Sequence, residues 1–295
     1  MPDRARLLPV LGCLTLAACA SYTLVPDAAI HCSDCARWND SQPPFRIFAN
    51  TYYVGTAGLS SILIATKDGL ILFDGGLPQS AQLITNNIRA LGFDPRDIRV
   101  IAVSHAHFDH VGGIAALQRL SNADVFTSVA SLWVMRRGIL PGDDPQFDPD
   151  NRSTEFPAVP GANALEDGTV FTIGGVSVRG IYTPGHTPGG MTWGWQTCED
   201  RRCLDFVYAD SISPVSVEGY RFSEGLGEAL GDSIERIGNL DCDIFLAPHP
   251  FYFGLKEKTQ QGREAFIDDQ ACKRYAASAY AWLERRLDEE RGAAP

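Results

Sequence analysis

The stretch Ser104-His105-Ala106-His107-Phe108-Asp109-His110 constrains this chain more than any other part of it. Three imidazoles and one carboxylate fall within six residues. The apolar run Val100–Val103 precedes it and reads as a buried strand, and Ile114–Leu120 follows with helical character. Side chains placed where a strand ends and a helix starts crowd into one mouth. Imidazole and carboxylate together suit zinc and other borderline divalent cations. Two ligands at alternate positions, with an adjacent Asp-His pair facing another way, can serve two neighbouring ions.

The other histidines extend this pattern. His186 lies in Thr183-Pro184-Gly185-His186-Thr187-Pro188-Gly189-Gly190, and His249 lies in Ala247-Pro248-His249-Pro250. Both follow strand-like runs. A lone histidine is ordinarily structural or solvated, but five at strand exits and Gly/Pro turns are not explained that way. His31 sits in a polar stretch and is read as incidental.

The rest of the chain reads as sheets with helices outside. Ile62–Ala65, the turn residues Lys67-Asp68-Gly69 and Leu70–Phe73 form a hairpin. Ser80 is expected to cap a helix carrying Ile84, Ile88 and Leu91 and ending at Gly92. Val170–Ile173, Gly174-Gly175 and Val176–Tyr182 form a second hairpin. Strands are expected near Met191–Trp195, Phe206–Tyr208 and Ile244–Ala247. A closing helix runs from about Asp269 to Glu290, with Tyr275, Ala279 and Leu283 on one face. The Pro-rich stretch Pro141–Pro160 is a loop long enough to serve as a lid. Strands then helices, twice over, predict two packed sheets flanked by helices.

The N-terminus reads as an export signal. Arg4 and Arg6 precede the apolar run Leu7–Ala18, too short to span a membrane. Residues 1–18 are therefore expected to be removed, with 19–45 a polar tether. In an exported chain the six remaining cysteines, Cys32, Cys35, Cys198, Cys203, Cys242 and Cys272, suggest disulfides. A bridge between Cys198 and Cys203 would staple a hairpin tip, and Cys242 with Cys272 would tie a strand start to the last helix. Cys32-x-x-Cys35 also fits a redox pair or half of a zinc site. With 25 Lys+Arg against 36 Asp+Glu, the formal charge is −11. Such a chain is not expected to bind nucleic acid, which demands positive charge.

His105-x-His107-x-Asp109-His110, with His186, His249 and the Asp74 of Phe73-Asp74-Gly75-Gly76, resembles the metallo-β-lactamase superfamily over about residues 46–290, leaving 291–295 as a tail. The resemblance implies an αββα sandwich, an α/β fold of two central mixed sheets with helices outside. Tyr208-Ala209-Asp210-Ser211-Ile212-Ser213, Asp241-Cys242-Asp243-Ile244, Cys272-Lys273-Arg274-Tyr275, Asp144-Pro145-Gln146-Phe147 and Cys198…Cys203 are similar to subclass B3. That branch usually has a cysteine near Gly55-Thr56-Ala57-Gly58; Ala57 stands there instead, which pairs Cys32 with Cys35. Leu16-Ala17-Ala18-Cys19 is similar to a bacterial lipobox, with Cys19 as the lipid site.

The resemblance implies a periplasmic β-lactamase using two zinc ions, acting on penicillins, cephalosporins and carbapenems and conferring resistance. His105, His107 and His186 would hold the first ion, and Asp109, His110 and His249 the second, with Asp109 also orienting the attacking water. Asp74 braces the histidine loop or caps its own turn. Ser211, Ser213 and Gln146 would meet the substrate. A monomer is expected, touching the membrane only through a lipid on Cys19. Two other readings stand: a lactonase or thioesterase of the same fold, in which an aspartate near Asp210 bridges both metals, and a non-enzymatic zinc-binding scaffold.

Overall fold

The computed structural model describes residues 23–292. The expected signal segment, Cys19 and residues 293–295 lie outside the described residues. Two sheets form the centre. The first runs β1 (Phe45–Phe48), β2 (Thr51–Tyr53), β3 (Ile62–Thr66), β4 (Gly69–Phe73), β5 (Ile98–Ala102), β6 (Asp124–Ser128) and β7 (Ala162–Leu165), in that spatial order. The second holds β8 (Val170–Ile173), β9 (Val176–Tyr182), β10 (Met191–Glu199), β11 (Arg202–Tyr208) and β12 (Ile244–Leu246). Both expected hairpins are present, pairing Thr66 with Gly69 and Ile173 with Val176. Each sheet switches from antiparallel to parallel pairing, at β4–β5 and at β11–β12.

Alternation along the strands sorts the core into layers. Ile62, Ile64, Ile71 and Phe73 face the second sheet, while Leu63, Leu70 and Leu72 face the helices on the outside. Between the sheets Phe73 stacks on Trp195 at 4.9 Å, and Trp195 on Phe206 at 5.0 Å. Helices α1 (Cys35–Trp38), α2 (Ser80–Ala90), α3 (Phe108–Val111), α4 (Ile114–Ser121) and α5 (Leu132–Arg137) accompany the first sheet. The second sheet carries α6 (Gly227–Gly238), α7 (Leu255–Gln261) and α8 (Ala271–Gly292). No helix among the described residues is long and apolar enough to cross a membrane.

Three expectations need correction. The stretch 19–45 is not a tether from Leu24 onward: Leu24 and Cys35 are buried, and Ile30 exchanges two hydrogen bonds with the Gln79 side chain. Its apolar residues dock from largely irregular chain, Leu24 under the first sheet and Ile30, Cys35 and Trp38 in one small cluster, so they leave no periodic signal. Ser80 is the first residue of α2 rather than its cap. Its hydroxyl accepts from Leu77 N–H and donates to Asn39 Oδ1. The tail begins later than expected, because α8 continues to Gly292. The C-x-x-C forms the expected bridge. Cys32 bridges Cys35, beside the Cys198–Cys203 and Cys242–Cys272 bridges.

The parallel strands place the chemistry. Loops leave the C-terminal ends of β4, β5, β9, β11 and β12 on one edge of the sandwich, the edge where α/β sheets commonly take ligands. They carry Asp74, the 104–110 loop, the 183–190 loop, Asp210–Ser213 and His249. The loop after β4 and the start of α4 cross too closely for side chains. A Cβ on Gly113 would lie 2.3 Å from the Gly75 carbonyl oxygen. That crossing lets Gly75 N–H donate to the His110 carbonyl at 2.7 Å, which fixes α3 and its Asp-His pair.

Candidate metal centre

Two groups of side chains converge on this edge. His105, His107 and His186 form one, and Asp109, His110 and His249 the other; within each, one ligand atom per residue lies within 4.8 Å of the rest. Five of the six residues are buried, and His249 is partly exposed. The groups are contiguous, since the His105 and His110 ring centres are 4.4 Å apart.

In the first group each imidazole is aimed by an acceptor behind it. His105 Nδ1 meets Asp210 Oδ1 at 2.8 Å. His107 Nε2 meets the two oxygens of Asp144 at 3.1 and 3.2 Å. His186 Nδ1 meets the Ser213 carbonyl at 2.9 Å. An N–H given to each acceptor leaves the other ring nitrogen as a lone pair aimed at the shared point. Burial, with the neighbouring imidazoles adding to it, holds His105 well below the usual histidine range and His186 down at about 3. The His105 and His186 rings are therefore neutral bases at pH 7, the form that ligates metal.

The second group carries charge. Asp109 Oδ2 lies 3.2 Å from His110 Nε2 and 3.4 Å from His249 Nε2. Burial pushes the Asp109 carboxyl up, but the His110 and His249 imidazoles outweigh it and keep it well below the usual carboxylate range. Burial pushes His110 down, and Asp109 reverses that, raising it.

The donor set fits divalent cations. His105 Nε2 and His110 Nδ1 are buried with no hydrogen-bond partner in the protein. A buried polar atom left so costs about 1–3 kcal/mol. For His105 Nε2, a cation at the convergence point removes that cost. The set of nitrogens plus one carboxylate is the chemistry that zinc accepts.

Asp74 decides between its two roles. It sits buried at φ 55°, accepting from Ser104 N–H at 2.8 Å, from the Ser104 hydroxyl at 2.7 Å and from Tyr208 at 2.7 Å. None of these partners belongs to its own turn, so it braces the residue that precedes His105. A left-handed aspartate persists only where the surroundings over-determine it, as three such bonds do.

The three residues expected to face substrate are placed differently. Gln146 reaches the centre, its Nε2 lying 3.3 Å from both His107 Nδ1 and His186 Nε2. Ser213 does not open into the mouth. It is buried behind a ligand, its hydroxyl 3.1 Å from His186 Nδ1. Ser211 is buried too, and its hydroxyl has no partner. Asp210 turns away from the convergence point onto the far side of His105.

Four residues have roles that the sequence reading did not give them. Asp144 and Asp210 hold ligands from distant parts of the chain. Trp38 lies against the second group, its ring 5.4 Å from His249 and 6.5 Å from Phe108. Phe251, highly exposed, stands 5.5 Å from the His249 ring. Together the two aromatics make an apolar rim beside His249. The Cys32–Cys35 pair was the one local sign that the Trp38 segment is anchored.

A family model described as the metallo-beta-lactamase superfamily matches residues 55–249. The chain belongs to that superfamily. Within it the likeness is to subclass B3 metallo-β-lactamases. Rm3 metallo-beta-lactamase is 43% identical, over 88% of this chain and 99% of that one, with a TM-score of 0.85. MEM-A1, a subclass B3 metallo-beta-lactamase isolated from a soil metagenome library, is 41% identical over 87% of this chain and all of that one, with a TM-score of 0.83. Among curated proteins, the N-acyl homoserine lactonase AttM of Agrobacterium fabrum is 30% identical over 112 residues, 37% of this chain and 40% of that protein. The chain covers about a third to a half of the curated relatives it matches, from 34% to 54%. The metallo-β-lactamase fold and its two candidate donor groups suggest a metal-dependent hydrolase.

Proposed function

We propose that this chain is a di-zinc β-lactamase, exported and monomeric, that opens the β-lactam amide of penicillins, cephalosporins and carbapenems and so confers resistance. The observation that carries this reading is the placement of Asp210. In the lactonase and thioesterase reading an aspartate near this position joins both metals. Here Asp210 Oδ1 is engaged with His105 Nδ1 instead, behind the ligand. The near-complete coverage of the B3 enzymes supports the same reading. The match to a homoserine lactonase favours the second reading, a lactonase.

His105, His107 and His186 would hold the first ion, and Asp109, His110 and His249 the second. Such ions supply an acidified water as nucleophile and positive charge opposite the developing oxyanion. The chain's own residues do the rest. Asp109 is an ionised carboxylate whose Oδ2 faces His110 and His249, which leaves Oδ1 to orient the attacking water. Gln146 holds its amide N–H on His107 Nδ1 and His186 Nε2, the nitrogens assigned to the first ion; with that ion bound the amide would withdraw to its edge, where the lactam carbonyl must come to be attacked. Trp38 and Phe251 supply apolar surface for the substrate's side groups and keep bulk water from one wall. The cleaved nitrogen takes its proton from solvent.

Ser211 is the proposed donor to the substrate carboxylate. Its hydroxyl satisfies nothing in the protein and loses nothing by rotating about χ1. A charge-assisted hydroxyl–carboxylate bond is worth about 1.5–3 kcal/mol. Ser211→Ala should therefore raise KM about ten- to a hundredfold with little change in kcat or zinc content. Unchanged KM removes Ser211 from the binding site. Export is proposed from residues 1–19, and the three disulfides support it, since such bridges persist in oxidising compartments.

One experiment tests the function: a carbapenem, a homoserine lactone and a thioester offered side by side to the purified chain. Preference for the carbapenem is expected. Preference for the lactone makes the chain a lactonase, and hydrolysis of none of them favours a zinc-binding scaffold.

A further inference from the structure

The Asp144-Pro145-Gln146-Phe147 segment of the long loop holds a carboxylate that the proposed chemistry does not use. Asp144 is buried, and it does two things at once. Both of its oxygens face His107 Nε2, at 3.1 and 3.2 Å. Its Oδ1 also accepts the backbone N–H of Gln146 at 2.8 Å. Its backbone continues the same arrangement, with Asp144 N–H donating to Pro141 O at 3.1 Å and Phe147 N–H donating to Asp144 O at 3.0 Å. One residue further on, Pro145 O accepts from Val217 N–H at 2.9 Å, so the loop is tied to the segment beyond Ser213. Burial pushes the Asp144 carboxyl up, yet the His107 imidazole outweighs this and holds it below the usual range.

We infer that Asp144 is a positioning residue that couples occupancy of the first metal site to the order of the 141–160 loop. This rests on the metal-centre reading above. The carboxylate fixes the His107 ring so that Nδ1 points at the convergence point. The same carboxylate fixes the turn that delivers the Gln146 amide to His107 and His186. A cation at His107 Nδ1 draws electron density from the ring and makes Nε2–H a stronger donor, which tightens its bond to Asp144. The same cation takes the His107 Nδ1 lone pair that the Gln146 amide faces at 3.3 Å, so the amide leaves the ligand nitrogens while its turn stays tied to the Asp144 carboxylate. By linkage the converse holds: a loop without this anchor weakens the first site.

The test uses Co2+ and Zn2+ alone, without substrate. Metal-free chain, Asp144→Ala and Asp144→Asn are titrated with Co2+ and followed by the visible bands of the bound ion. His107→Ala and His249→Ala give the spectra of the second and first sites separately. Limited proteolysis then reads cleavage within 141–160 with and without Zn2+. In the unsubstituted chain, Zn2+ should protect the loop. Asp144→Ala should weaken the first site about 10–100-fold, leave the second within about threefold, and abolish that protection. Asp144→Asn keeps an acceptor but loses the charge, so it should fall between the two, and it decides the matter if Asp144→Ala does not fold. Wild-type Co2+ affinity at the first site in a folded Asp144 variant overturns the inference. So does a loop that is cleaved faster with the metal affinity unchanged. An unsubstituted chain that binds no Co2+ removes the metal-centre reading and this inference together, whereas Asp144 variants that bind Co2+ and protect the loop as the unsubstituted chain does remove the inference alone.

Discussion

Replacing His249 with alanine should leave a protein that keeps one zinc and loses the other. His249 Nε2 faces Asp109 Oδ2 at 3.4 Å, and its ring packs 4.7 Å from that of His110, so it belongs to the second group alone. His107→Ala should do the reverse, because its Nδ1 looks into the cluster shared with His105 and His186. Losing a partner behind a ligand typically costs 10–100-fold in metal affinity or activity, so losing a ligand itself should cost more than ~100-fold in lactam hydrolysis. Zinc content and stepwise affinity of the two variants check this. Equal loss of both ions from both variants refutes the partition.

Asp210→Ala should be the most damaging change outside the six ligands. The carboxylate is fully buried, and burial pushes it well above the usual range. Its Oδ1 takes the His105 Nδ1–H, and its Oδ2 has no partner. A Cβ on Gly190 would lie 2.1 Å from that Oδ2, so the pocket is closed around it. Without the carboxylate, His105 is free to adopt the tautomer that places its proton toward the metal. First-site affinity should fall about 10–100-fold, with hydrolysis falling alongside. Asp210→Asn keeps an acceptor oxygen and should be milder. Were Asp210 a bridge between the ions, both variants would release both metals, and the lactonase reading would gain.

What the sequence made legible was local. Hairpins announced themselves through Lys67-Asp68-Gly69 and Gly174-Gly175, because a turn's chemistry lies in its own residues. The six-ligand set was legible because it lies at strand exits and in turn motifs. The rest depended on distance along the chain. Asp144 is 37 residues from His107, and Asp210 is 105 residues from His105. Nothing local to either aspartate reports its partner. The tether reading failed for the same reason: Leu24 docks under the first sheet, and Ile30, Cys35 and Trp38 gather in a small cluster with Leu59 and Leu77 from elsewhere in the chain rather than along a stripe. Helix α6 went unread although Leu230, Ile234 and Ile237 follow helical spacing, because Gly227, Gly231 and Gly238 dilute its propensity. Ser213 shows the limit of a pattern argument. Period-two spacing with Ser211 suggests a shared face, but Ala209–Ser216 is not a strand, and Ser213 is spent behind His186.

The central claim is that the two donor groups hold the ions on which lactam hydrolysis depends. The most direct measurement follows carbapenem hydrolysis by the purified chain during removal and return of zinc, with metal counted at each step. About two zinc ions per chain are expected, as in two-metal sites generally. Hydrolysis should fall to background in a strong chelator and return in step with zinc. Full carbapenem hydrolysis by metal-free protein would contradict the account.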